Sequence, residues 1–280
     1  MKSDQHQITI YQQPKERATP VPFEIAPQTA HWERSPRVPT LQTIIAQTKP
    51  LPPYSVLIGA CDDGYHFFFD LDDPNPGSLL ITGEPHTGKS ILLRSIMESA
   101  SLLNPPNQVR FSLVATRPHE WQDASVFPNL DLIAAPYQRE SNTLVMKFSE
   151  IAKQRRSGRL RGPALILFIE NLARFLERID RDVELFLGWL IREGPKSKVW
   201  TVVTLDIFES PKINKKLLSS FGTKMISMTS LIYTLPPPNG GPDSSPNLSN
   251  AHGQVSISDP MFKVYLRDEG WIRFSVPRLE

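Results

Sequence analysis

The stretch Ser78 to Ile96, "SLLITGEPHTGKSILLRSI", constrains this chain more than any other, because Gly83 to Ser90 satisfies G-x-x-x-x-G-K-[ST] at every position. An apolar strand leads into the pattern, and an amphipathic helix beginning at Lys89 leads out of it. The chemistry requires that spacing. Gly83 and Gly88 let backbone N–H groups curl around phosphate oxygens, Lys89 reaches the β and γ phosphates, and the Ser90 hydroxyl can ligate Mg²⁺. Glu84, Pro85, His86 and Thr87 fill the variable positions, with His86 read as filler and Pro85 as a stiffener. The expected ligands are therefore ATP and Mg²⁺, gripped by residues 83–90.

Short apolar runs alternate with helical patterns downstream: "SLLITG" before "KSILLRSIMESASLL", "VRFSLVA" before "NTLVMKFSEIAKQRR", "ALILFIE" before "DVELFLGWLIREG", "KVWTVVTL" before "KINKKLLSSF". Regular alternation predicts an α/β fold, a RecA-like P-loop NTPase core whose mainly parallel sheet is covered by helices on both faces. "TKMISMTS" adds a short strand, and "GQVSIS" with "FKVYLRDEGWIRFSV" reads as a C-terminal strand pair turning at Asp268, Glu269 and Gly270. Nine of the 27 prolines fall in residues 1–53 and five between Pro236 and Pro246. That distribution predicts a Pro-rich arm over 1–50, with a short helix at Leu41 to Gln47, then a P-loop domain over 51–232. A flexible loop over 233–250 and C-terminal strands over 251–280, completing the domain, would follow.

The formal charge is only +2, 31 Lys and Arg against 29 Asp and Glu, so any nucleic-acid contact must come from local clusters. The one cysteine, Cys61, can form neither an internal disulfide nor a cysteine-based metal cluster, which predicts a reducing, cytoplasmic setting. No run approaches the roughly 18 apolar residues of a membrane span, and no membrane partner is expected.

In hydrolytic P-loop proteins an apolar strand ends in an acid that holds the Mg²⁺ water shell, often followed by a glutamate that activates water. Here "ALILFI" ends in Glu170 and then Asn171. In one register Glu170 serves the metal through water and Asn171 stands at a degenerate base position, since an amide takes no proton from water. In the other, Glu170 is the base and Ile169 stands where the metal acid belongs. A plainer reading has Glu170 cap the helix "NLARFLERI".

The run "VLIGACDDGYHFFFDLDDPNPGSLLITGEPHTGKS", Val56 to Ser90, resembles the motor domain of the FtsK/SpoIIIE branch of the FtsK/HerA superfamily. There a strand pair precedes the phosphate loop. "RGPALILFIENLARFL" resembles the family's acid-bearing strand, and "REGPKSKVWTVVTLDIFES" its "R…ATQRP" segment. Matching Pro163 and Ala173 without gaps puts Glu170 at the family's aspartate and Asn171 at its glutamate. Thr204 keeps its place, whereas Leu205 stands where the glutamine sensor belongs, and Ala115, Thr116 and Arg117 replace "DPK". The resemblance implies an ATP-binding, translocase-like core that acts on DNA as a ring, with weak or partner-dependent hydrolysis. It also implies an alternative: a nucleotide-bound interaction subunit of a secretion, conjugation or DNA-processing assembly.

Two basic groups could face a DNA backbone: Lys153, Arg155, Arg156, Arg159 and Arg161, and then Lys212, Lys215, Lys216 and Lys224. Ring ATPases complete a neighbour's site with an arginine. Arg174 and Arg178, four apart on the helix predicted after Glu170, and Arg192 are the finger candidates. Trp189 is read as packing its helix rather than stacking a base.

Overall fold

A parallel sheet covered on both faces needs strands that are apolar throughout, their odd and even residues feeding different cores. The computed structural model describes residues 10–11, 38–48, 50–228, 259–266 and 269–279, and it has this construction. In β7 (Ala164–Ile169), Ala164, Ile166 and Phe168 join one hydrophobic core, while Leu165, Leu167 and Ile169 join the other. Strand β8 (Val199–Asp206) repeats the division, with Trp200 and Val202 on the first side and Val199, Val203 and Leu205 on the second. Leu79 and Ile81 of β4 (Leu79–Gly83) belong to the first core and Leu80 to the second.

Helix α2 (Lys89–Leu103) fills the first core with Leu92, Leu93, Ile96, Met97 and Ala100. The second is covered by α3 (Arg139–Arg156) and α5 (Arg181–Glu193), with α4 (Leu172–Leu176) and α6 (Lys215–Ser219) beside them. Buried Val183, Leu187, Leu190 and Ile191 of α5 fall at i, i+4, i+7 and i+8, one apolar stripe of a helix. Trp189 packs against this core, as its spacing predicts.

The remaining strands are β1 (Ile10–Tyr11), β2 (Ser55–Cys61), β3 (His66–Asp70), β5 (Val109–Val114), β6 (Leu130–Ala134), β9 (Thr223–Ser227), β10 (Met261–Leu266) and β11 (Gly270–Ser275). All lie in one sheet of order β1-β3-β2-β11-β10-β9-β4-β8-β7-β5-β6. From β9 to β6 neighbours run parallel, the doubly covered core expected from the alternating pattern. From β1 to β9 they run antiparallel, so the C-terminal pair is sewn between β9 and β2. Helix α1 (Leu41–Thr48), the short helix expected in the N-terminal region, packs Leu41, Ile44 and Ile45 on Leu57 and Phe68.

Some elements depart from the sequence reading. Helix α4 stops at Leu176, because the chain extends again by Asp180 to start α5, so Arg178 lies beyond the helix rather than on a face shared with Arg174. Helix α6 is also short; the hydroxyls of Ser219 and Ser220 both donate to the Lys216 carbonyl in competition with the helical ladder. Strand β6 and a 3-10 segment over Pro118–Val126 were not foreseen. Most of the 1–50 arm, the 233–250 loop, "GQVSIS" and Asp268 lie outside the described residues.

Candidate nucleotide site

The carboxyl ends of β4, β8, β7 and β5 lie along one edge of the sheet, with Gly83 opposite Asp206, Ile169 opposite Val203, and Val114 opposite Ile169. Open α/β sheets bind ligands at this edge. The loop from β4 to α2 carries two left-handed residues, His86 at φ 60° and Gly88 at φ 87°. Such turns align successive N–H groups into an anion-binding nest. A Cβ on Gly88 would come 2.5 Å from Pro260 Cβ, and one on Gly83 2.6 Å from Ser227 Cβ. Both glycines are thus required by crowding, and at Gly88 by backbone angle as well. Thr87 Oγ1 donates to the Glu84 carbonyl at 2.8 Å, and Ser227 Oγ to the Thr87 carbonyl at 3.2 Å, bracing the turn. The first helical bond of α2 runs from Leu92 N–H to Gly88 O at 2.9 Å. The amides before it are the orphan donors of a helix N-terminus.

Lys89 Nζ donates to the carbonyls of Gly83, at 3.1 Å, and Glu84, and lies 3.6 Å from Asp206 Oδ1. Burial pushes its pKa below the usual lysine range, although the Asp206 carboxylate acts in the opposite sense. A half-buried ammonium resting on loop carbonyls, beside a helix N-terminus and a nest, is a donor set that suits a polyphosphate.

Glu170 stands across from this loop and is held by three donors. Ser90 Oγ donates to Oε1 at 3.0 Å, while the Thr116 N–H at 3.2 Å and the Trp121 indole N–H at 3.3 Å both donate to Oε2. Trp121 is itself buried in the first core, its ring covered by the Arg94 guanidinium at 4.8 Å from the centroid. Ile169, the metal position of the alternative register, is buried in the second core. The helix cap falls one residue later than the plainer reading put it. Asn171, at φ 60°, accepts from Arg174 N–H at 3.1 Å to cap α4, and its own N–H donates to Thr204 Oγ1 at 2.9 Å.

Leu205, at the position of the family's sensor, is buried in the second core, and its neighbour Asp206 reaches Lys89 instead. Sequence reasoning passed over Asp206, Thr116 and Trp121. Asp206 did carry a signal, an acid closing an apolar strand as Glu170 does; Thr116 stood in the segment that replaces "DPK" but was read only as a departure, and Trp121 came from a segment with no motif.

The first basic group is divided. Half-buried Arg155 donates to the carbonyls of Pro163 at 2.6 Å and of Ser197 and Lys198 at 3.2 Å, and burial lowers its pKa. Lys153 lies over the rings of Phe186 and Trp189, and Arg156 pairs with Glu193 at 2.9 Å. Arg159 and Arg161 are exposed, as are Lys212, Lys215, Lys216 and Lys224. Arg174 is tied to Glu177 at 3.2 Å and Glu209 at 3.7 Å. Arg178 and Arg192 are exposed and make no ion pair among the described residues. Among the described residues no helix is long and apolar enough to cross a membrane, and no group of three or more His, Cys, Asp or Glu is placed to hold a metal alone.

Residues 54–140 match the model of the FtsK/SpoIIIE family, which bears out the resemblance read from Val56 to Ser90; the acid-bearing strand and the segment around Leu205 lie beyond the matched residues. Over an alignment of 182 positions that takes in 55% of the chain, it is 25% identical to the ESX-5 secretion system protein EccC5 of Mycobacterium marinum, of which the alignment covers 13%. ATPases 2 and 3 of Thermomonospora curvata EccC, solved in complex with a signal sequence peptide, superpose over 91% of this chain and 46% of theirs, with a TM-score of 0.62 at 15% identity. The pCW3 conjugation coupling protein TcpA, in its monomer form with ATPγS, superposes over 82% of this chain and 67% of its own, at a TM-score of 0.57 and 14% identity. These superpositions identify the P-loop ATPase fold. The chain spans about an eighth of the curated relative and under half of the EccC structure.

Proposed function

We propose that this chain is a nucleotide-binding subunit of FtsK/SpoIIIE type that works inside a larger protein-moving or DNA-moving assembly, holding ATP and Mg²⁺ and turning over slowly. The observation that carries the reading is the anchoring of Glu170 by Ser90, Thr116 and Trp121. A carboxylate fixed beside the loop serine favours the register in which Glu170 answers the metal and Asn171 the base. Gly83 to Ser90 would hold the phosphates, with Lys89 neutralising their charge. Ser90 and, through water, Glu170 would hold Mg²⁺, which supplies further charge neutralisation on the triphosphate. Asn171 has its carbonyl oxygen engaged in capping α4, and an amide takes no proton. A positioned base contributes about 10²–10⁴ in rate, so its lack slows hydrolysis without weakening the hold on nucleotide.

The names of the similar proteins, a secretion ATPase and a conjugation coupling protein, support an assembly with protein partners. Of the arginines considered for a neighbour's site, Arg178 and Arg192 suit a ring better than the tethered Arg174. DNA is a second reading, favoured by exposed Lys212, Lys215 and Lys216, which make no ion pair among the described residues. ATP binding and turnover, measured with and without DNA on wild type, Lys89→Ala, Glu170→Gln and Asn171→Glu, test these readings. Binding that needs Lys89, slow wild-type turnover and a rise in Asn171→Glu are expected. Brisk turnover lost in Glu170→Gln and unimproved by Asn171→Glu would transfer the base role to Glu170. No retention of DNA at low salt leaves the protein-partner reading.

A further inference from the structure

An acid on the P-loop lysine is the feature that this reading does not absorb. Asp206 closes β8 directly opposite Gly83 in the parallel register, and its Oδ1 lies 3.6 Å from Lys89 Nζ. That oxygen is buried and receives no hydrogen bond, so the lysine charge is its principal compensation. Glu209, three residues on, also buries an oxygen with no donor, and its charge acts on Lys89 as well. The ammonium meant for phosphate is therefore already claimed, on one side by loop carbonyls and on the other by a carboxylate.

We propose that Asp206 is a positioning residue that tunes which nucleotide the site prefers: by sharing Lys89 it discriminates against the terminal phosphate and so narrows the margin by which the site holds a nucleoside triphosphate over the diphosphate. The inference rests on Gly83–Ser90 being the nucleotide site. Any phosphate oxygen that this ammonium holds at the usual ~2.8 Å comes within roughly 6 Å of the Asp206 carboxylate. The carbonyls of Gly83 and Glu84 can yield the lysine to a phosphate at little electrostatic cost, because they are neutral. Asp206 offers no such relief, since its carboxylate faces the incoming anions. Each added phosphate brings about one more negative charge, so the repulsion weighs more on the triphosphate. For unit charges at that distance it corresponds to between about threefold and about a hundredfold in affinity as the effective dielectric constant runs from 80 to 20.

Calorimetric titration with ADP and with the non-hydrolysable β,γ-methylene analogue of ATP, on wild type, Asp206→Asn, Asp206→Ala and Lys89→Ala, tests the proposal. Circular dichroism on each variant checks the fold. Asp206→Asn is expected to tighten the triphosphate analogue about tenfold and ADP less than threefold, with Asp206→Ala agreeing. The gain should shrink between 50 mM and 500 mM salt, as charge repulsion is screened. A well-folded Asp206→Asn whose ADP-to-triphosphate ratio equals that of wild type, or which loses triphosphate binding, overturns the assignment to Asp206 while leaving the site intact. Should wild type and both Asp206 variants bind neither nucleotide, the reading of Gly83–Ser90 falls, and this inference with it.

Discussion

The phosphate loop and the end of β7 face one another through the Ser90 to Glu170 hydrogen bond, yet they are built from different materials. The loop is shaped mainly by its own backbone: two left-handed residues and a helix N-terminus within eight consecutive positions, with Ser227 and Pro260 pressing on its glycines from outside. The end of β7 is shaped by borrowed side chains and amides. Thr116 and Trp121 hold Glu170, and Thr204 holds Asn171. A site made of local backbone tolerates change outside its pattern and almost none inside it. A site assembled from remote donors fails by degrees, one hydrogen bond at a time.

Substitutions on the two sides should separate those behaviours. Lys89→Ala removes the side-chain ammonium at the loop carbonyls and is expected to weaken nucleotide binding by about 100-fold or more, read by calorimetry. Gly88→Ala combines a φ of 87° with a Cβ placed 2.5 Å from Pro260. It should destabilise the fold by about 2–3 kcal/mol in urea unfolding and lose binding with it; an unchanged unfolding midpoint would show that the crowding relaxes freely. Glu170→Gln keeps shape and removes charge. Mg²⁺-free nucleotide affinity should stay as it was, while the tightening that Mg²⁺ brings falls about tenfold. Trp121→Phe retains the ring under Arg94 but deletes one donor to Glu170, and should raise the Mg²⁺ half-saturation only about fivefold. Asn171→Ala loses the cap of α4, about 1 kcal/mol of stability, and leaves nucleotide affinity alone. If Trp121→Phe proved as damaging as Lys89→Ala, the contrast between the two halves would collapse.

The contrast also decides what could be read in advance. Gly83 to Ser90 is legible because its chemistry depends on spacing along the chain, and β4, β5, β7 and β8 are legible because burial on both faces leaves uninterrupted apolar runs. The cap falls at Asn171, one position after Glu170, because the short asparagine side chain reaches the Arg174 N–H and tolerates a φ of 60°. The basic group near Arg155 looked like one patch because sequence proximity was taken for a shared surface. Arg155 instead ties the end of α3 to three carbonyls of neighbouring loops, a role that depends on where the chain returns. Trp121 belongs to the same class of residue, in which function follows from long-range pairing and no local pattern announces it, whereas Asp206 closes an apolar strand as Glu170 does and could have been read.

The contact of Pro260 with Gly88 bears on the order in which this molecule is made. The loop glycine and all six parallel strands leave the ribosome before Pro260 and β10 do. Until then β9 is an open edge, with unpaired amides and carbonyls along one side, and the phosphate loop lacks one of its walls. That wall arrives only when the C-terminal strand pair docks beside β9, so completing the loop and closing the sheet edge are one event.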